Sequence, residues 1–365
     1  MSEWRECTLK DLVLFQRGHD LPKTEMQIGN IPVAGSNGII GYHNVATTKG
    51  PGITIGRSGN IGTPHFYKDE FWAHNTVLYV KDFNGNDEKF AFYFLNIMDL
   101  SGFNAGSAVP TLNRNHIHEL IVKIPPLPEQ KAIAGVLSSL DDKIYLLHRQ
   151  NKTLEAMADA LFRQWFVEEA DEGWKEIKLG NVVEVKRGGS PRPIQDYLSE
   201  TGYRWLKISD ATKENSPFIF DINEHIKPEG LNKTTYLEAG KLVLSNSATP
   251  GIPKILQVDT CIHDGWLHFP KSKFSNEFLY LFFKGIRQEL ENMGNGSIFT
   301  NLKTDILKEF TLKLPEKIIL DNFQIKVMPI FDRLLSNTKQ IRILEKLRDS
   351  LLLKLMSGEV KIKGV

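Results

Sequence analysis

Cysteine is nearly absent. Cys7 and Cys261 are the two in 365 residues, they lie in different halves, and neither belongs to a CxxC pair. That excludes a disulfide framework and a thiolate zinc site, and both are expected to be buried small hydrophobes. Long apolar runs are missing too. None approaches the roughly 18 residues that a membrane span needs, and the start, Met1-Ser2-Glu3-Trp4-Arg5-Glu6, carries neither an apolar signal region nor a cleavage site. The expectation is a cytoplasmic protein with no membrane contact. An excess of one charge is also lacking: 45 Lys+Arg stand against 44 Asp+Glu, a formal net charge of +1. The global field therefore does not draw the chain onto a polyanion, and any nucleic-acid surface must be local or shared with a partner.

Catalytic signatures are equally scarce. Gly240-Lys241 runs into Leu242 and has no spaced first glycine, so there is no phosphate-binding loop of the Walker type. Gly56-Arg57-Ser58-Gly59-Asn60-Ile61-Gly62 follows a strand-like run, but its spacing is wrong for a dinucleotide turn and Pro64 stands where a helix should open; close backbone approach is the expected use of its glycines. His116 and His118, and the separate His65, His74 and His263, have no carboxylate or cysteine partners at metal spacing, so no metal is expected. No Asn-Pro-Pro-aromatic or Asp-Pro-Pro-aromatic segment occurs. The chain does not look like an adenine methyltransferase, and no residue is expected to be catalytic.

What the chain does have is a repeat. Trp4-Arg5-Glu6, Leu9, Val13 and Arg17-Gly18 recur 170 residues later as Trp174-Lys175-Glu176, Leu179, Val183 and Arg187-Gly188. Gly106-Ser107, Leu112, Glu119, Lys123 and Pro125 recur 190 residues later as Gly296-Ser297, Leu302, Glu309, Lys313 and Pro315, so the second half holds about 20 extra residues between its ends. Ile53 to Pro64 and Leu242 to Pro253 match more loosely, each an apolar run, a small polar turn and Gly-x-Pro. Short alternating runs between Gly, Asn and Pro turns predict strands in both modules.

Each module is followed by a different period. Ile133, Leu137, Leu140, Ile144, Leu147, Asn151, Leu154, Ala158, Leu161 and Trp165 step by 4 and 3 without a slip, and Phe323, Val327, Ile330, Leu334, Asn337, Ile341, Leu344, Arg348, Leu351 and Leu355 repeat the pattern. Such seams predict two long helices that pack as an antiparallel coiled coil. At 1.5 Å per residue, about 40 residues make a rod of roughly 60 Å. If the polar seam residues Asn151 and Asn337 meet, paired positions have numbers adding to 488: Ile133 faces Leu355, Ile144 faces Leu344, Leu161 faces Val327 and Trp165 faces Phe323. Leu140 would then face Arg348, whose stem lies along the seam while its guanidinium reaches water. The fold class is α+β, with a first module at 1–128, a first spacer helix at 129–169, a second module at 170–319 and a second spacer helix at 320–360.

A duplicated variable module, the segment Gly106-Ser107-Ala108-Val109-Pro110-Thr111-Leu112-Asn113, and a helix entered through Ile124-Pro125-Pro126-Leu127-Pro128-Glu129-Gln130 and continuing to Leu140-Asp141-Asp142-Lys143-Ile144 resemble the DNA-specificity subunit of type I restriction-modification systems. The resemblance spans essentially the whole chain. The second helix departs from the pattern, entering on Pro315-Glu316-Lys317-Ile318 with no Glu-Gln pair. The resemblance implies that each module is a target-recognition domain for one half of a split DNA sequence, and that the antiparallel helices space them. It also implies two copies of a methyltransferase subunit and translocating restriction subunits as partners. S-adenosylmethionine, ATP and Mg are then expected only in those partners, with no cofactor in this chain.

The residues themselves are compatible with that reading. Direct readout uses Arg on guanine and Asn or Gln on adenine. The first module offers Arg17, Lys23, Asn37, His43, Asn44, Arg57, Ser58, Asn60 and Arg114 on turn-rich segments, and the second Arg187, Arg192, Arg204, Lys207, Asn246, Ser247, Thr249, Lys254, Asn295 and Lys303. Phe162 and Phe166 add an apolar stripe beside the first seam and are expected to bind a partner subunit. The alternative is a duplicated coiled-coil scaffold that binds protein or carbohydrate, which the near-neutral charge slightly favours.

Overall fold

The two tryptophan-led repeats open the same architecture twice. The computed structural model describes residues 4–103, 111–294 and 302–362. In the first half Arg5–Thr8 pairs antiparallel with Ile121–Ile124, and in the second Lys175–Lys178 pairs the same way with Thr311–Leu314. Each module is thus closed by a two-stranded ribbon at its neck. Leu9 N donates to Leu120 O at 2.7 Å, and Leu179 N to Phe310 O at 2.8 Å, so the turn that follows each first strand is held identically.

Between these necks the sheets keep one order. In the first module Leu14–Arg17, Val77–Asp82, Gly52–Gly56 and Pro64–Tyr67 lie side by side; in the second the order is Lys186–Arg187, Trp266–His268, Leu242–Ser245, Pro253–Leu256 and Phe218–Ile219. The loosely matched segments are the hairpins of these sheets, with Ile55 opposite Pro64 and Leu244 opposite Pro253. Gly62 and Gly251 sit at the same place in the two turns with φ of +82° and +81°, which favours glycine. Each module also has a second sheet containing a parallel pair, Val33 beside Trp72 and Trp205 beside Cys261. The extra residues of the second half fall between Arg187 and Leu242, where they build the helix Ile208–Lys213 and the short strands Phe218–Ile219 and His225–Ile226.

The long helices run Leu127–Arg163, continued by a π-helical turn Gln164–Glu168, and Lys317–Met356. Pro329 does not end the second helix, although it removes a backbone donor; Val327, Ile330, Phe331 and Leu334 around it are all buried. Two compact units divide the chain at points inside both helices: Met1–Tyr145 with Arg342–Val365, and Leu146–Ile341. Each unit therefore holds a module together with stretches of both helices, not a module alone.

Within the second unit Asn337 Nδ2 donates to Asn151 Oδ1 at 2.9 Å, and the Trp165 and Phe323 rings lie 5.9 Å apart. Thr338 Oγ1 accepts from Asn151 Nδ2 at 3.3 Å. In the first unit the buried Ile133 and Leu137 share a core with Leu355 and Met356. These contacts follow the register read from the seam. Arg348 keeps part of its side chain exposed, and its guanidinium also binds Asp141 Oδ1 at 2.9 Å and Asp349 Oδ1 at 2.8 Å.

The cysteines divide. Cys261 is fully buried, and burial pushes its thiol up to about 11, whereas Cys7 is only half-buried; both are free. No helix among the described residues is long and apolar enough to cross a membrane.

Candidate nucleic-acid interface

In each module the first strand of the main sheet ends on Arg-Gly, and the glycine is required by what it touches. A Cβ on Gly18 would lie 2.0 Å from His74 O, and one on Gly188 would lie 2.3 Å from His263 O. The glycine N–H donates to Val77 O at 3.0 Å in the first module and to Trp266 O at 2.9 Å in the second. The arginine is thereby fixed beside a three-residue turn, His74-Asn75-Thr76 or His263-Asp264-Gly265. The turns are themselves pinned: Val77 N donates to His74 O at 3.1 Å and Trp266 N to His263 O at 3.0 Å. His263 Nδ1 accepts from Gly265 N at 2.8 Å, and burial pushes this imidazole below its ordinary range.

The loop after the central strand reaches the same turn. Arg57 N donates to Thr76 O at 2.8 Å, its guanidinium lies 3.5 Å from Asn75 O, and its carbonyl accepts from Leu112 N at 2.8 Å. Ser36 Oγ lies 2.7 Å from Ser58 O and 2.8 Å from Thr76 O, with one proton to share between them, which brings the hairpin turn carrying Asn37 alongside. Arg114 opens a short helix capped by Asn113, and it lines one concavity of about 510 Å³ with Arg17, His19 and Trp72. The first module therefore gathers Arg17, Asn37, Arg57, Ser58 and Arg114 around one turn. Asn60 is exposed in the same loop, with its carbonyl oxygen 3.4 Å from Thr63 Oγ1.

Lys23 and Asn44 are exposed on a different segment, where Asn44 Nδ2 donates to Gln27 Oε1 at 2.8 Å. His43 overturns its expected role. It is 6% exposed, accepts from Gln27 N at 3.0 Å through Nδ1 and sets its ring edge-on to Trp72 at 5.1 Å, so it holds a loop and faces no groove.

In the second module the turn is centred on a carboxylate. Asp264 accepts from Ser190 Oγ at 2.7 Å and from Arg192 Nη2 at 3.0 Å, with Arg187 Nη2 3.8 Å away. Its backbone carbonyl also accepts from Arg187 Nε and, at 3.3 Å, from Asn246 Nδ2. Ser247 and Thr249 stand half-buried in the adjoining turn, and the exposed Lys303 caps the helix Thr304–Glu309 just after Leu302. Leu302 N donates to Asn246 O at 2.8 Å, the same contact that Leu112 makes to Arg57.

Three of the second module's expected contacts are otherwise engaged. Asn246 is 2% exposed and acts as a strut for the turn. Lys254 is 5% exposed; its ammonium donates to the carbonyls of Glu214 and Ser216, and burial pushes it down to about 8, so it is an interior group and no DNA contact. Lys207 is ion-paired with Glu224. Arg204 is exposed on the strand Tyr203–Leu206, which pairs with Thr260–Ile262, the strand that leads into the Asp264 turn. Asn295 lies outside the described residues.

Phe162 and Phe166 also depart from expectation. Phe162 is buried, and Phe166 packs 5.1 Å from it, 5.0 Å from Phe278 and 4.8 Å from Phe323, so both rings pack against the helix Asn276–Gly285 and the second long helix, while Phe166 stays half-buried. The histidine turns, by contrast, carry no local sequence signal, because their partners lie tens of residues away. No group of His, Cys, Asp and Glu suited to a metal ion occurs among the described residues.

The profile of the family described as "Type I restriction modification DNA specificity domain" matches residues 1–156 and 171–348. The specificity subunit of type I restriction enzyme MjaIX from Methanocaldococcus jannaschii is 24% identical over 98% of this chain and 81% of its own length. That of HindI from Haemophilus influenzae is 24% identical over 69% of this chain and 71% of its own. Among solved structures, the type I S subunit from M. genitalium superposes with a TM-score of 0.72 at 18% identity, covering 97% of this chain and 96% of that one, a likeness of fold.

Proposed function

The chain belongs to the type I restriction-modification DNA-specificity family, as a subunit that recognises DNA and catalyses nothing itself, and from that premise we propose that its two modules read the unlike halves of one bipartite, asymmetric target. The observation that supports this most is the repeated Arg-Gly strand end beside a histidine turn, surrounded in the two modules by different polar side chains. The first module reads with Arg17, Asn37, Arg57, Ser58, Asn60 and Arg114, and the second with Arg187, Arg192, Ser247, Thr249 and Lys303. Lys23, Asn44 and Arg204 supply flanking contacts to phosphates, which position the duplex without carrying sequence information.

The domains are a first recognition module to residue 128, a spacer helix to 169, a second module to 319 and a second spacer helix to 360. Two methyltransferase subunits, and through them the restriction subunits, dock on the helices, where Leu146, Met157, Ile325, Ile343 and Leu353 are large apolar side chains left exposed. S-adenosylmethionine, ATP and Mg belong to those partners, and the complex works in the cytoplasm.

The test is a randomised-site methylation assay on the reconstituted complex. Arg57→Ala should relax one half-site and Arg187→Ala the other, each by about 1 to 3 kcal/mol if the side chain meets a base edge. Loss of the same half-site by both variants overturns the assignment of one half-site to each module. A DNA affinity that is flat in a salt titration would favour a scaffold for protein or glycan, because phosphate contacts make binding fall steeply with salt.

A further inference from the structure

The arginine at the strand end is held by a carboxylate in both modules, but the carboxylate comes from opposite sides of the same contact. In the first module Asp20, three residues after Arg17, lies 3.6 Å from its guanidinium and accepts from Asn75 of the histidine turn. In the second module the residue three after Arg187 is Ser190, and the acid is Asp264 of the histidine turn, which accepts from Ser190 at 2.7 Å. The hydrogen bond between the two segments is kept, one partner is acidic each time, and the acid has changed places. Neutral pairs would have preserved the bond equally well. What recurs is a single negative charge beside the strand-end arginine.

Resting on the reading of the modules as DNA-recognition domains, we propose that Asp264 and Asp20 are positioning residues that hold the recognition arginines in their reading pose and away from indiscriminate phosphate contact. A guanidinium on a free stem takes any nearby phosphate, whereas one tied by a carboxylate presents its remaining donors in a fixed direction. Asp264 does this for two arginines at once. Arg192 is 80% exposed in its side chain and Arg187 49%, so both keep donors facing solvent while Asp264 itself is 34% exposed. Burial alone would raise the Asp264 carboxyl, yet the Ser190 hydrogen bond, then the guanidinia of Arg187 and Arg192 and finally His263, carry it below the usual carboxylate range. It is therefore charged wherever the protein is folded near neutral pH.

The experiment selects duplexes from a randomised library with the full-length chain and compares variants by base preference at each half-site, by affinity for an unrelated duplex, and by thermal melting. Asp264→Asn is expected to lower discrimination at one half-site about tenfold, leave the other unchanged, and bind the unrelated duplex more tightly with a salt slope steeper by about one, as a freed arginine reaches a phosphate. Asp264→Glu should restore part of the discrimination. In the first module Asp20→Ser should relax the other half-site, and adding Asn75→Asp should recover it by installing the second module's arrangement. A folded Asp264→Asn variant that keeps wild-type preference at both half-sites, or that relaxes both equally, overturns the proposal. So does a double variant that recovers melting temperature without recovering preference. A wild-type chain that selects no sequence at all would instead overturn the recognition reading on which the proposal rests.

Discussion

The first module is fastened to the long helix that follows it by Gln130, and the second by Gln324. Gln130 is buried; its amide donates to Asn86 Oδ1 at 2.9 Å and Pro125 O at 3.0 Å, and its carbonyl accepts from the N–H of Asp87, which caps the helix Glu88–Ile97. Gln324 accepts from Ser275, the cap of the corresponding helix Asn276–Gly285, and donates to Glu277 Oε2 at 3.0 Å. The position that matches Gln130 in the repeat is Leu320, an apolar residue packed against the second core. One device thus survives a shift of one helical turn. The Pro-Leu-Pro-Glu-Gln entry is a fastening of module to helix, and the second half lacks the motif without lacking the fastening.

Three groups of substitutions test how far the likeness of the halves extends. The largest effect belongs to the position that closes each histidine turn, Val77 in the first module and Trp266 in the second, both fully buried. Trp266→Ala removes a large ring and strands Leu206 O, which accepts from its indole at 3.1 Å; the expected loss is about 3 to 5 kcal/mol, against a smaller one for Val77→Ala. Urea unfolding followed by hydrogen exchange should place each loss in its own module, and a loss spread evenly over both would break the comparison.

Next comes Lys254, on the second module's hairpin strand where the first module has His65 and Phe66. Its folded pKa of about 8 lies below the ordinary lysine value of 10.5. Between those values the unfolded chain holds a proton that the folded chain has released, so this residue makes stability rise with pH through that interval; below pH 8 the penalty is fully present. The stability of wild type minus that of Lys254→Met should therefore increase by about 3 kcal/mol from pH 7.5 to 10.5. A difference that stays level with pH would mean the ammonium is not held in an apolar site.

The smallest effects are those of the fastenings. Gln130→Ala leaves the Asp87 N–H and Pro125 carbonyl without their partner and should cost about 1 to 3 kcal/mol, while the half-buried Gln324 should cost about 1 kcal/mol when truncated. Thermal melts of the two variants measure the pair, and equal losses would show that the turn's shift carries no energetic consequence.

Periodicity made the long helices and their register legible, because a heptad seam with one asparagine on each strand admits few alignments; Asn151 does meet Asn337. The repeat likewise disclosed two modules of one plan, since Trp, Leu, Val and Arg-Gly recur at one offset, whereas the strand order they share was not legible. Burial of polar side chains was not legible. His43, Asn246 and Lys254 stand in turn-rich or alternating segments that look solvated, and their partners, such as Gln27 and Glu214, are set by tertiary contacts. The Phe162 stripe misled for the converse reason: Phe162 packs both on the seam residue Phe323 and on Phe278 of the module's own helix. The Asp20–Asn75 and Ser190–Asp264 pairs join residues 55 and 74 positions apart, beyond the reach of any local pattern.

The exchanged carboxylate has a consequence for ancestry and recombination. Two genes joined inside a module, with the early strand from one half and the histidine turn from the other, would unite Asp20 with Asp264 or Ser190 with Asn75. The first hybrid sets two like charges in hydrogen-bonding range; the second leaves the strand-end arginine with no counter-charge at all. Either hybrid keeps the fold's strand order, but one gains a repulsion and the other loses the charge beside the arginine, so inheritance of the module as a whole block is favoured by a single contact that requires one acid, not two or none.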